Sequence, residues 1–125
     1  MTGTCRITAG KRLVCQAGYY IREHIGQKFS LDEIAGALYV NANYLSRVFK
    51  RETGHTLLWY HNAVRCEKAK QLLSGSNLSV SEISEAVGFV SPAHFSHIFR
   101  KMEGASPSAW RENPGECENE QILFF

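Results

Sequence analysis

The stretch that decides the fold runs Ser30-Leu31-Asp32-Glu33-Ile34-Ala35-Gly36-Ala37-Leu38, then Tyr39-Val40-Asn41, then Ala42-Asn43-Tyr44-Leu45-Ser46-Arg47-Val48-Phe49-Lys50-Arg51-Glu52-Thr53-Gly54. Ser30 and Glu33 have capping-box spacing, so each side chain can satisfy the other's orphan amide. Leu31, Ile34, Ala35 and Leu38 follow as the apolar stripe of a short helix. The stripe breaks at Tyr39-Val40-Asn41, where Asn41 is a good N-cap. A second helix over 42–53 buries Leu45, Val48 and Phe49 and stops at Gly54. Short helix, tight turn and second amphipathic helix make a helix-turn-helix unit.

The same grammar occurs again downstream. Ser79-Val80-Ser81-Glu82 is a second capping box, and Val80, Ile83 and Val87 form its stripe. Gly88 breaks that helix, Ser91 caps the next, and Pro92 takes the first helical position, where a missing amide does no harm. Phe95, Ile98 and Phe99 face inward and Gly104 closes. Residues 30–38 match 79–87 at an offset of 49, and 42–60 match 92–110 at an offset of 50. The one-residue difference falls in the turn, where insertions are best tolerated. An internal repeat of caps, stripes and stops in one order is the strongest signal in the chain.

Working outward, Leu13, Ala17, Tyr20, Ile21 and Ile25 set a helical period ahead of the first unit, with Gly26 as its stop. Between the units, 56–73 reads as a long helix burying Leu57, Tyr60, Val64, Ala69, Leu72 and Leu73. At about 1.5 Å per residue it spans roughly 25 Å. The expected organisation is an irregular segment over 1–12, a first subdomain over 13–55, a linker helix over 56–74, a second subdomain over 75–112, and a tail over 113–125. The fold class is all-α.

Composition narrows the function less than the repeat does. The 125 residues are 44% hydrophobic and 21% charged, as in a folded globular chain, and the net charge of +2 permits an anionic partner without demanding one. Cys5, Cys15, Cys66 and Cys117 never form a C-x-x-C pair, which argues against a zinc knuckle or a thioredoxin-like site. Their sparseness points to a reducing compartment and a cytoplasmic location. No apolar run approaches the roughly 18 residues of a membrane helix, so no membrane partner is expected.

What each second helix turns to solvent carries the functional reading. Opposite the core, the first presents Asn43, Ser46, Arg47 and Lys50, and the second presents Ala93, Ser96, His97 and Arg100. Glu52 and Glu103 lie at the far ends. Asparagine bonds adenine in two places and arginine grips guanine O6 and N7. A single solvated helix often carries such residues with no partner. Two of them inside matched frames point to double-stranded DNA. The expected base-contacting set is Asn43, Tyr44, Ser46, Arg47, Ala93, His94, Ser96 and His97. Asn41, Lys50, Arg51, Ser91, Arg100 and Lys101 are expected on phosphates, with the amides after Asn41 and Ser91 open at a positive helix end.

These residues also carry a likeness. Tyr44-Leu45-Ser46-Arg47-Val48-Phe49-Lys50-Arg51-Glu52-Thr53-Gly54, Val87-Gly88-Phe89 and His94-Phe95-Ser96-His97-Ile98-Phe99-Arg100-Lys101 resemble the DNA-binding domain of the AraC/XylS family of bacterial transcription regulators. Arg65-Cys66-Glu67-Lys68-Ala69-Lys70-Gln71-Leu72-Leu73 is similar to that family's linker helix. The resemblance implies a seven-helix, bilobed domain whose two recognition helices read successive major-groove segments. It also implies transcription regulation in the activating sense, contact with RNA polymerase, and an effector or dimerisation domain outside this chain.

Three positions depart from the family pattern. Tyr39 stands where glycine is usual, which predicts a residue with positive φ. Pro92 and Ala93 leave the tip of the second unit poor in hydrogen-bonding groups. His97 stands where a longer basic residue is common, so the first unit is expected to discriminate sequence more than the second.

Other chemistries find little support. Cys66 reads as a thiol filling a core site, and Trp59 and Trp110 as packing aromatics. His24, His55 and His61 lack metal-ligand spacing. No acid, base and nucleophile constellation and no glycine-rich phosphate loop occurs, so no catalytic residue, cofactor or metal is assigned. The competing reading is a helical module that contacts the transcription machinery without reading DNA itself. Steep salt dependence would separate the two.

Overall fold

The computed structural model describes residues 9–113. Among them are seven helices and no strand: α1 (Ala9–Glu23), α2 (Leu31–Ala37), α3 (Ala42–Thr53), α4 (Leu57–Gly75), α5 (Val80–Ala86), α6 (Pro92–Glu103) and α7 (Pro107–Glu112). The expectations for residues 1–8 and for the tail beyond 113 lie outside the described residues. The described chain divides into two compact units, one of residues 9–24 and 29–61, the other of 25–28 and 62–113. The division cuts α4 after His61 instead of leaving it as a separate linker.

α1 already includes residues 9–12, which were expected to be irregular, a turn ahead of the period from Leu13. Lys11 and Arg12 are exposed, so this turn has no apolar stripe by which to announce itself. α4 also outruns its expected end, reaching Gly75. Its burial is not a stripe either. Ala63, Val64, Arg65 and Cys66 are consecutively buried, at about 100° of rotation each, so the middle of the helix is enclosed around its circumference. Leu72 and Ile98, expected inside, are half-buried.

In the first unit α1 and α2 both pack against α3. Leu13, Val14, Ala17 and Ile21 of α1 are buried, as are Ile34 and Ala35 of α2 and Leu45, Val48 and Phe49 of α3. Tyr60 closes this core from the start of α4, edge-on to Phe49 at 5.7 Å, with its hydroxyl accepting from Arg22 Nε at 2.9 Å. In the second unit Cys66, Ala69 and Leu73 meet Ile83, Val87, Phe89, Phe95 and Phe99. The Phe95–Phe99 pair is T-shaped at 5.6 Å, a geometry worth about 0.5–1.5 kcal/mol beyond area burial. Trp110 packs edge-on to Phe99, whereas Trp59 is only half-buried and stacks on His55 at 3.7 Å.

Of the two expected capping boxes, that of Ser79 and Glu82 forms in full. At α2 only the serine half does: the Ser30 hydroxyl accepts from the Glu33 amide, with no return bond between the Glu33 carboxylate and the Ser30 amide. Gly54 and Gly104 end α3 and α6 in the left-handed region.

Candidate nucleic-acid interface

Each unit holds its second helix by the buried side of an amphipathic stripe, which leaves the other side to solvent. On α3, Asn43, Tyr44, Ser46, Arg47, Lys50 and Arg51 are all exposed. On α6, Ala93, His94, His97, Arg100 and Lys101 are exposed and Ser96 is half-buried. The two helices thus bring the expected residues together as one ridge per unit.

Local contacts shape each ridge. The Arg47 guanidinium carbon lies 6.0 Å from the centroid of the Tyr44 ring, one turn earlier on the same face, an attraction that limits how the arginine can point. Arg51 shares its charge with Glu52, Nε to Oε2 at 3.5 Å. Lys50 makes no such pair among the described residues. Glu103, at the far end of α6, is buried, with its Oε1 3.2 Å from Lys70 Nζ. Hidden on the inner side of the helix, that carboxylate puts no negative charge on the α6 ridge.

The helix starts differ from expectation. Asn41 Oδ1 accepts from the amides of Asn43 at 2.8 Å and Tyr44 at 3.2 Å, and Ser91 Oγ accepts from the amide of His94 at 3.1 Å. Pro92 has no amide to offer. Among the first-turn amides only those of Ala42 and Ala93 remain for an anion, fewer than expected, because the capping oxygens reach them first. Asn41 and Ser91 therefore act first as caps.

The turns before these helices differ too. Tyr39 has φ 60°, as its place in the glycine position predicts, and its side chain is 94% exposed. In the second turn the extra residue is Val90, which is 91% exposed. Sequence reasoning missed two buried groups behind α6, Arg65 and Phe89. Nothing in the local pattern marks Arg65, since His61, Asn62 and Lys68 share its face of α4 with Ala69.

With this geometry in place, the comparisons with known proteins agree. The family model described as "Helix-turn-helix domain" matches residues 34–113. The Bacillus subtilis HTH-type transcriptional regulator YisR is 35% identical over 105 residues, covering 84% of this chain and 37% of that protein. A transcriptional regulator from Chromobacterium violaceum, of the proteins containing an AraC-type DNA-binding domain, is 31% identical in a solved structure. It covers 86% of this chain and all of that one, with a TM-score of 0.77. The DNA-binding domain of AdpA, a global transcriptional factor solved in complex with a target DNA, is 28% identical over 82% of this chain and 92% of that one, with a TM-score of 0.74. The chain belongs to the AraC-type helix-turn-helix family of transcription regulators. It spans about a third or less of the length of the curated relatives it matches, from 37% of YisR down to 12%.

Proposed function

We propose that this chain binds double-stranded DNA with sequence preference, α3 and α6 each entering the major groove, and that it regulates transcription by doing so. The observation that carries the reading is the pair of exposed ridges, Asn43-Ser46-Arg47-Lys50 and Ala93-Ser96-His97-Arg100, in matching helix-turn-helix frames. Neither ridge carries an exposed carboxylate, which would repel phosphates. The AdpA domain, solved on its target DNA, supports the same reading by likeness.

Within this reading Asn43, Tyr44, Ser46, Arg47, Ala93, His94, Ser96 and His97 face base edges. Lys50, Arg51, Arg100 and Lys101 face phosphates, and Asn41 and Ser91 adjoin them through the amides of Ala42 and Ala93. Activation through contact with RNA polymerase, an effector or dimerisation domain outside this stretch, and a cytoplasmic location belong to the same proposal. They rest on family membership. Among the described residues no helix is long and apolar enough to cross a membrane.

The test is selection of bound sites from random duplexes with the wild type, Arg47→Ala and His97→Ala, accompanied by a salt titration. Each substitution relaxes preference at its own cluster of positions, at a cost of about 1–3 kcal/mol where a base contact is lost. Affinity falls steeply as salt rises. Recovery of random sequence by the wild type, or binding indifferent to salt, refutes the reading in favour of a protein-only partner.

A further inference from the structure

Arg65 sits in α4 at 5% exposure, and among the described residues no carboxylate lies within ion-pair distance of it. Its Nε donates to the Ile25 carbonyl at 3.1 Å and its Nη2 to the Gln27 carbonyl at 2.7 Å. Burial draws its pKa below the ordinary arginine value. An apolar residue of similar shape is often as good in such a core, so packing alone does not explain an arginine here.

What the guanidinium does besides is hold a ring. Its carbon lies 5.1 Å from the centroid of Phe89, a residue 6% exposed in the turn that leads into α6. The Phe89 amide donates to the Ser84 carbonyl at 3.0 Å, which fixes the backbone that carries the ring. The preceding Gly88 has φ 89°, and a Cβ there would stand 2.9 Å from the Gly26 backbone, so the turn sits hard against the segment that Arg65 grips. The Phe89 ring then meets two residues of α6. It is tilted against buried Phe95 at 5.2 Å and edge-on to exposed His94 at 5.5 Å and 75°. The His94 main chain is already held, its amide bound by Ser91. An exposed histidine ordinarily samples several rotamers, and contact with a fixed ring narrows them.

We propose that Arg65 and Phe89 are positioning residues for sequence recognition, the arginine locking the Phe89 ring and the ring presenting the His94 imidazole to the duplex in one orientation. The proposal rests on the DNA-binding reading above. It extends that reading to two buried residues that touch no DNA. Rotamer restriction before binding lowers the ordering cost at the interface, so its effect falls on the base pairs that His94 faces.

The experiment uses the full chain with His94→Ala, Phe89→Leu, Arg65→Met and the double variant Phe89→Leu/His94→Ala. The first readout is NMR of the His94 ring protons without DNA. Phe89→Leu removes the ring-current displacement outright, and Arg65→Met shifts it part-way to the value of a free histidine. The second is competition binding against duplexes carrying each single base change. His94→Ala lowers preference about tenfold at one cluster of positions, Phe89→Leu and Arg65→Met lower it several-fold at those positions only, and the double variant matches His94→Ala alone. A merely structural role predicts equal weakening on every duplex, added again in the double variant, and that result overturns the proposal. So do unchanged His94 shifts in folded Phe89→Leu, and so does His94→Ala with wild-type preference, although the latter leaves the DNA-binding reading standing. Should Arg65→Met fail to fold, Phe89→Leu decides the matter. A wild type without sequence preference overturns this proposal together with the reading beneath it.

Discussion

Tyr39 and Gly88 hold the same place in the two helix-turn-helix turns, and both have positive φ, 60° and 89°. What differs is the surroundings. The Tyr39 side chain is 94% exposed, while a Cβ at Gly88 would meet the Gly26 backbone at 2.9 Å. One position tolerates a side chain at the cost of strain, and the other admits none. Tyr39→Gly should remove about 1–2 kcal/mol of left-handed strain against about 0.4–1 kcal/mol of added unfolded-chain entropy, raising the melting temperature by a few degrees. Gly88→Ala should cost about 2–4 kcal/mol. Gly54→Ala, at φ 83° with nothing within 4 Å of the added Cβ, should cost only about 1–2 kcal/mol. Denaturant unfolding of the three variants checks the ranking, and equal losses at Gly88 and Gly54 would refute the steric account.

Tyr44 and Lys50 should separate orientation from charge on α3. Because Tyr44 restrains Arg47 across 6.0 Å, Tyr44→Ala should weaken preference at the positions Arg47→Ala affects, by about 0.5–1 kcal/mol. Lys50→Ala should lower affinity evenly on all duplexes and reduce the salt slope by about one. Quantitative binding at several salt concentrations distinguishes them. A base-specific loss from Lys50→Ala would move that residue into the groove.

Cys66 is fully buried, and burial, with the Glu103 charge adding to it, pushes its thiol from an ordinary 9.0 up to about 12. The folded chain therefore holds this proton more tightly than the unfolded chain does. Stability is unaffected by this group below pH 9 and falls as pH climbs towards 12, the loss approaching roughly 4 kcal/mol at the top of that window. Cys66→Ala should be less stable at neutral pH but show a flatter decline between pH 9 and 12. In the wild type a thiol reagent should label exposed Cys15 quickly and Cys66 only on unfolding.

The Lys70–Glu103 pair is an enclosed contact between α4 and α6 and should behave as one. Lys70→Met should destabilise by about 1–3 kcal/mol, because it leaves the Glu103 carboxylate, 7% exposed, without its lysine. Glu103→Gln should cost less, since an amide can still accept from the ammonium. Burial pulls the Lys70 pKa down, but hydrogen bonds to Glu67 and Glu103 and the charge of both override it and hold the amine above its usual range. This stabilisation is thus complete below the unfolded value of 10.5 and is lost as pH rises past the folded one. Thermal unfolding from pH 7 to 11 checks the sign.

The local elements were legible because short-range chemistry specifies them. Ser79-Glu82, Asn41, Ser91-Pro92 and the glycines at 54 and 104 mark helix ends through bonds made within a few residues, and the structure has its helix ends there. The exposed ridges of α3 and α6 follow from helical period alone. The turn of α1 ahead of Leu13 was illegible because Lys11 and Arg12 leave it no stripe, and the enclosure of α4 because burial from several sides erases amphipathic contrast.

Periodicity and capping, then, assigned helix identities, the repeat and the list of outward-facing residues, since each depends on neighbours three or four positions away. Which polar groups were already spoken for was a matter of folding in three dimensions. Glu103 turned inward to Lys70, and Arg65 reached carbonyls 38 and 40 positions away and came to rest over Phe89. Contacts between residues so distant along the chain leave no period in the sequence, because only packing brings them together.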